Sequence, residues 1–564
     1  MKLIPRNKDN RDSNIIIEAI LCLKNSFWHC LIFSSIINIL SLALPIYSMQ
    51  VLDRVLGSSS LETLIYLSLI VFIAVAAMNF LTNVRDYAFS FIANSFEKKL
   101  SRITFAHNIK DSIKSNIGSQ YLKDLSQIKS FITSPNLPFI FDMPWVVIFL
   151  AVIFYIHWIL GFVILGSGLI LAFMAFLNQK ILKSDTEKLS EMQMIISRRL
   201  ELLTRNSEVI VGMGMIENVN DKYNDNLSEL KELENKVKNK TKSISITVKT
   251  LRYFMQMMVT FISAILIIHG KMSSGGMIAV STLAGKVLAP FDASAGIFQS
   301  LIYLKKSYER LKNAFQNIAT EKRIELPEPK GNVVFDGVIF MPYGSNLPII
   351  KGISFKVEAG QIIGIIGKSG SGKTTIARLL TNIFETSRGN VLIDSAPLKL
   401  WNETQIGQYI GYVPQDVELF QSSIKDNISR FSINPKDADI IKAAQMAGVH
   451  ELILSLPQGY ETVIGQTNIS AGQRQRIALA RALYGNPKIL VLDEPNSNLD
   501  IDGENALLKT IAESKSNKTM TVFIISHKPS ILKITDKIMI IDNGEMKTFE
   551  DSSKVINEFA AKQQ

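Results

Sequence analysis

The sequence predicts a multi-domain membrane protein: a six-helix, all-α transmembrane domain joined to an α/β domain on a phosphate-loop sheet. Three observations predict it. The first half holds long apolar runs without a charged side chain. The second half alternates short apolar runs with helix-like stretches. One of those runs opens directly into a glycine-rich loop of the phosphate-binding kind. The 564 residues exceed one ordinary domain, and 47% hydrophobic against 20% charged excludes a disordered or collagen-like chain.

In chain order, Met1 to Asn14 is polar and lacks the apolar core and cleavage site of a signal peptide. Residues 1–27 are therefore expected as a cytoplasmic N-terminal segment. Trp28–Gln50 and Thr63–Thr82 carry no charge, and neither does Met143–Leu177. At 35 residues that last run is too long for one span, since about 20 residues cross a bilayer. It divides at the interfacial pair His157-Trp158. Tyr253–His269 and Met272–Gly285 complete the set. Six spans are expected, at about 28–50, 62–82, 138–156, 158–177, 252–269 and 273–296, within a transmembrane domain of 28–319. So many apolar runs in one half of a chain are not buried helices of a soluble core.

Loop 83–136 holds eight Lys/Arg and loop 178–250 holds thirteen, whereas 51–62 and 270–271 hold only Arg54 and Lys271. The long loops, and with them both termini, are thus predicted on the cytoplasmic side. They are rich in helix formers and read as continuations of the spans. The net charge of +11 sits in these membrane-flanking segments without interleaved aromatic residues, which argues for membrane lipid and against nucleic acid as a partner. Lys286 and Asp292 interrupt an apolar stretch, so they are expected to face a bundle interior or wet cavity, or to reach a headgroup. Cys22 and Cys30 fit no disulfide framework or metal motif.

A charged, proline-bearing linker is expected at 320–330 and an α/β domain at 331–564. Its strand candidates are Val333–Phe335, Ile353–Val357, Ile362–Ile366, Asn390–Ile393, Ile410–Val413, Ile489–Leu492, Thr521–Ile525 and Ile538–Ile541. Gly367-Lys368-Ser369-Gly370-Ser371-Gly372-Lys373-Thr374 fits G-x-x-x-x-G-K-[ST] between a strand and a helix-like run beginning at Thr375. Glycines let backbone N–H groups point at phosphates, Lys373 adds charge, and Thr374 offers a hydroxyl to Mg²⁺. Asp493 and Glu494 end an apolar strand; the first is placed to hold Mg²⁺ and the second to polarise an attacking water. His527 ends the next strand and can approach a γ-phosphate.

These residues resemble the nucleotide-binding domain of ATP-binding-cassette (ABC) transporters. Ile469-Ser470-Ala471-Gly472-Gln473 is similar to the family's L-S-G-G-Q signature, Gln415 to its Q-loop, Ser497-Asn498-Leu499-Asp500 to its D-loop and His527 to its switch histidine. A narrower resemblance, over nearly the whole chain, is to the type I secretion ATPases that export proteases and related proteins, the PrtD-like group. It rests on 410–420, 447–453, Pro495-Asn496-Ser497-Asn498, Val51-Leu52-Asp53-Arg54-Val55-Leu56 and Phe141-Asp142-Met143-Pro144-Trp145. Drug, lipid and haemolysin-type exporters typically read Ala-Thr-Ser-Ala where this chain has Pro-Asn-Ser-Asn.

The resemblance implies an ABC exporter membrane domain of type 1 and an ATP hydrolase. It implies a homodimer in which the phosphate loop of one subunit and the signature of the other share ATP and Mg²⁺, with Gln415 as a further metal ligand. It implies a bacterial inner-membrane location, a periplasmic adaptor, an outer-membrane channel and a polypeptide substrate with an uncleaved C-terminal signal. Alternatives are an exporter of lipids or drugs, or a non-transporting, ATP-gated membrane regulator. The chain departs from the family pattern at Ala471, where glycine is usual. It departs again at Gly465-Gln466-Thr467-Asn468, which lacks Glu-x-Gly and is about two residues short. Pro342 stands at the adenine-stacking position, which Tyr343, one residue later, is expected to serve instead. Fewer than thirty residues precede the first span, so no leader-peptide trimming is expected.

Overall fold

A computed structural model describes residues 15–114, 119–292, 294–316, 325–466, 468–497, 499 and 501–563. The chain divides into two compact units, Met1–Ala319 and Thr320–Gln564.

Among the described residues of the first unit, six helical stretches are long and apolar enough to cross a membrane: Lys24–Ser58, Leu61–Ile113, Asn136–Ile156, Trp158–Arg205, Ile216–Ile268 and Ser274–Phe291. The second, fourth and fifth run 53, 48 and 53 residues, far past their apolar parts, as their helix-forming loops predict. The 35-residue apolar run does break at His157, which is extended at φ −161° and separates two helices. Large apolar side chains such as Phe72 and Ile73 lie on the outside of this unit. In water that arrangement would be unstable; in hydrocarbon it costs nothing.

One group of polar side chains inside this unit is paired across helices. Arg85 donates to Ser34 Oγ at 3.0 Å and to Asp142 Oδ1 at 3.3 Å, and Asn38 Nδ2 donates to the same Asp142 oxygen at 2.8 Å. These bonds join the first three helical stretches, where an unpaired charge would be expensive. Lys286 lies 5.8 Å from the centre of the Phe149 ring. The side chain of Asp292 lies outside the described residues. At the far end of the first stretch a π-helical turn, Val51–Val55, presents Asp53 to the start of the sixth. Ser273 Oγ donates to Asp53 Oδ2 at 2.7 Å and Gly275 N–H to Oδ1 at 2.9 Å. A Cβ at Gly275 would meet the Met49 carbonyl oxygen at 2.5 Å, so glycine is needed for the approach.

Asp124 is fully buried on the short helix Gln120–Ile132. Arg310 Nε and Nη2 grip its two oxygens at 2.8 and 2.5 Å, and Ser307 Oγ adds a third donor at 3.1 Å. The carboxylate in turn holds the guanidinium in its charged form, against the effect of burial.

The second unit is built on two sheets. Its strands are β1 (Val333–Phe340), β2 (Ile350–Val357), β3 (Ile362–Ile366), β4 (Arg388–Ile393), β5 (Ala396–Pro397), β6 (Ile410–Val413), β7 (Ile489–Asp493), β8 (Thr521–Ile525), β9 (Lys537–Asp542) and β10 (Glu545–Asp551). The smaller sheet runs β2-β1-β4-β5 and the larger β10-β9-β3-β8-β7-β6. Neighbours from β9 through β6 are parallel and β10 is antiparallel. The fully buried strands β3, β7 and β8 read as unbroken apolar runs, which is why the sequence locates them closely. β1 extends well past the expected Val333–Phe335, because a register shift between Phe335 and Val338 breaks its alternation at Gly337. β10 is an edge strand whose charged residues gave no strand signal.

Replacing Arg310 by Ala should strand the buried Asp124 charge and cost about 3 kcal/mol or more. The double change Asp124→Leu/Arg310→Met should cost far less. Thermal unfolding of the detergent-purified protein in both variants checks the order.

Candidate functional site

The parallel strands β3, β6, β7 and β8 all end on one edge of the larger sheet, and the turns beyond them carry the predicted site residues. This is the edge at which open parallel sheets bind ligands. Beyond β3 the chain turns through Gly367 to Gly372 into the helix Lys373–Leu380. Gly370 and Gly372 have φ of +77° and +106°, which L side chains disfavour. A Cβ at Gly367 would lie 2.2 Å from the Ile541 carbonyl oxygen. Gly544 N–H, in the β9–β10 turn, donates to the Ser371 carbonyl at 3.1 Å and props the loop from behind. The loop thus wraps tightly against β9; its Ser371 N–H donates to the Lys368 carbonyl at 3.2 Å, and the glycine-rich turn at a helix N-terminus is of the kind that receives an anion.

Lys373 is buried and its ammonium donates to the Gly367 and Lys368 carbonyls at 2.6 and 2.9 Å. Lys368 and Ser369 lie on the loop's outer turn, and Thr374 and Thr375 open the helix. The Ser371 hydroxyl is buried with no hydrogen-bond partner among the described residues, and so are both oxygens of Asp493. Burial raises the Asp493 pKa, and the Glu494 charge adds to this; the Thr374 hydroxyl, Arg378 and Lys373 oppose it. An unsatisfied buried carboxylate beside a threonine hydroxyl, next to a glycine-rich loop that opens a helix, fits Mg²⁺ with a phosphate chain: hard oxygen donors for the ion, N–H donors for the phosphates.

Glu494 has left-handed backbone, φ +49°, immediately after β7. Gln415 Nε2, from the turn after β6, donates to Glu494 Oε2 at 3.2 Å. The two site residues from neighbouring strands therefore touch, with the amide on the carboxylate. His527 is exposed in the turn after β8. Tyr343 is 89% exposed in the β1–β2 connection. That connection ends at Ile349 and Ile350, which pack on Gly372, so Tyr343 belongs to the same end of the unit as the loop.

The signature forms the start of a separate helix. Ser470 is the N-cap of Ala471–Leu483, and its hydroxyl accepts from Gln473 N–H while Gln473 Oε1 accepts from Ser470 N–H. This capping box leaves the Ser470 hydrogen free to donate. Ala471 stands first in the helix, where alanine costs nothing, and Gly472 follows. Gln475, one turn on and 1% exposed, donates to the Pro495 carbonyl at 2.5 Å and the Glu494 carbonyl at 3.4 Å. Its role was not read from the sequence. The available signal was a polar residue on the helix face that buries Ala478 and Leu479. Asn498 and Asp500 of the D-loop, and Thr467 before the signature, lie outside the described residues.

Two family models match the chain: "ABC transporter" over residues 350–497 and "ABC transporter transmembrane region" over 27–291. The chain belongs to the ABC transporter family. It is a multi-pass membrane protein that couples ATP hydrolysis to transport. Among curated relatives, this ABC transporter is similar to the "Type I secretion system ATP-binding protein PrsD" of Rhizobium meliloti (strain 1021), 33% identical over 94% of this chain and 92% of that one. It is also similar to the "Leukotoxin translocation ATP-binding protein LktB" of Mannheimia haemolytica, 30% identical over 95% of this chain and 77% of that one. A bacterial Atm1-family ABC exporter, solved with ATP bound, shares the fold at a TM-score of 0.82 and 23% identity, covering 96% of this chain and 99% of that one.

Gly367→Ala should collide with a backbone carbonyl and cost about 1–3 kcal/mol, with ATP binding lost. Gly370→Ala meets open space and should cost only its left-handed backbone, about 1 kcal/mol. Thermal unfolding and fluorescent-nucleotide binding of the two variants distinguish these outcomes.

Proposed function

We propose that two copies of this chain form the ABC component of a type I secretion system and use ATP to export a polypeptide across a bacterial inner membrane. Similarity to PrsD over nearly the full length of both chains carries this reading. A periplasmic adaptor and an outer-membrane channel complete the path in this proposal, and the substrate is a secreted polypeptide.

In the reading proposed here, the amides of 367–372 and the Lys373 ammonium hold the β- and γ-phosphates of ATP, with Ser371, Thr374 and Thr375 adding hydroxyls. The Thr374 hydroxyl, Asp493 and Gln415 would hold Mg²⁺. The ion, when bound, neutralises charge on the phosphate oxygens. Binding requires the Lys373 ammonium to exchange its carbonyl partners for phosphate. It also requires the Gln415 amide to turn from Glu494. Once released, the Glu494 carboxylate is free to accept a proton from the attacking water, and its left-handed backbone at the strand end sets where that carboxylate stands. His527 supports the γ-phosphate. Tyr343 stacks on adenine. Ser470, Ala471, Gly472 and Gln473 serve the ATP of the second copy, the Ser470 hydrogen and the first amides of their helix facing its γ-phosphate. Asp500 is assigned to the same shared site. ATP thus holds two cassettes together and hydrolysis releases them.

Glu494→Gln should bind ATP normally, lower turnover by about 100-fold or more, and accumulate as an ATP-bound closed dimer. Phosphate release and dimer sizing on the purified variant test this; normal turnover would remove Glu494 as the base. Cells carrying only this variant, or lacking the gene, should lose a polypeptide from the culture medium. An unchanged secreted proteome would refute export of protein.

A further inference from the structure

Asn496 stands between the Glu494 turn and the D-loop and has no part in the chemistry above. The structure joins it to the turn that carries His527. Ser526 Oγ, 1% exposed, donates to Asn496 Oδ1 at 3.0 Å. The same hydroxyl oxygen accepts from Lys528 N–H at 3.2 Å. A serine hydroxyl has one hydrogen and two lone pairs. With its hydrogen committed to Asn496, the oxygen keeps its lone pairs turned toward the backbone two residues on, which closes a serine turn around His527.

The neighbouring residues of that turn are pinned as well. Glu494 N–H donates to the Ile525 carbonyl at 3.0 Å. On the other side Lys528 Nζ and Ser530 Oγ donate to Glu504 at 2.6 and 2.9 Å. Those two bonds hold the Glu504 carboxyl below its usual pKa, so it is an anion at neutral pH. The chain on both sides of His527 is therefore tied to the segment that follows β7: through Glu494 to the Ile525 carbonyl before it, through Asn496 to the Ser526 hydroxyl, and through Glu504 to the side chains of Lys528 and Ser530 after it. Of these ties, Asn496 contributes the one made to a hydroxyl that itself holds the backbone of the turn, at Lys528 N–H.

We infer that Asn496 is a positioning residue for His527: its side-chain carbonyl orients the Ser526 hydroxyl, and that hydroxyl sets the turn that presents the imidazole. The inference rests on the proposed role of His527 at the γ-phosphate. Its consequence is that movement in the segment between Glu494 and the D-loop reaches the imidazole through the Asn496–Ser526 hydrogen bond, beside the backbone tie of Glu494 to Ile525.

The test is a double-mutant cycle on the full-length purified protein, with ATP turnover and nucleotide binding measured separately. Asn496→Ala should lower kcat about tenfold with KM for ATP held within about twofold. In a His527→Ala background the same change should have no further effect on kcat, because no imidazole remains to be placed. Asn496→Thr, which keeps a hydroxyl acceptor, should recover part of the loss. Ser526→Ala cuts the same bond from the other side and should match Asn496→Ala, which covers the case of a variant that does not fold. An equal loss in both backgrounds, or a raised KM with unchanged kcat, would overturn the positioning role. If His527→Ala alone leaves kcat intact, the assignment of His527 fails instead.

Discussion

The hydrogen-bond register of the parallel strands is the constraint on which the site depends. Ile365 of β3 pairs with Ile525 of β8, Ile525 pairs with Asp493 of β7, and one row earlier Leu492 pairs with Val413 of β6. Reading one residue further along each strand brings Glu494, Ser526 and Ile366 level, and the phosphate loop begins at the next residue. Residues separated by more than a hundred positions are therefore brought to one edge because four strands run in step. The side-chain bond from Gln415 to Glu494 and the backbone bond from Glu494 to Ile525 are the extension of that ladder past its last regular pair.

The register holds because both faces of the sheet are buried. Ile363, Ile365, Val491, Phe523 and Ile525 point into one core, and Ile362, Leu490, Leu492, Val522 and Ile524 into the other. A slip of one residue would exchange every one of these side chains between cores of different shape, so the alignment is strongly specified. The first core packs on the phosphate-loop helix through Ile376, Ala377 and Leu380; the second packs on the signature helix through Ile477, Leu479 and Ala480. One sheet thus carries the two halves of the proposed ATP clamp on its opposite faces.

Much of this was legible in the residues. The buried strands appear as unbroken apolar runs, and Gly367 to Thr374 announces its own chemistry because few sequences can put so many amides around a phosphate. That the 35-residue run must divide followed from its length, and the interfacial pair His157-Trp158 gave the place. Other features gave no local signal. β10 alternates charged residues on an edge, where a strand needs no apolar face on its outer side. The bulge in β1 hides its period. The pairs Asp124–Arg310 and Asn496–Ser526 join positions far apart in the chain, and a single sequence carries no record of which distant side chains meet. Tyr343 shows the intermediate case: its place near the loop follows from the hairpin that bears it, while its side chain faces solvent.

The carboxylate of Asp53 gives the membrane half a different kind of constraint. It is the shared acceptor for a hydroxyl and an amide at the head of the sixth apolar helix, and glycine at 275 lets the two backbones approach to contact. Such a rivet makes the end of the first span and the beginning of the last a single mechanical part. Any widening of the bundle at that end must either swing the pair as one lever or break both of these bonds together.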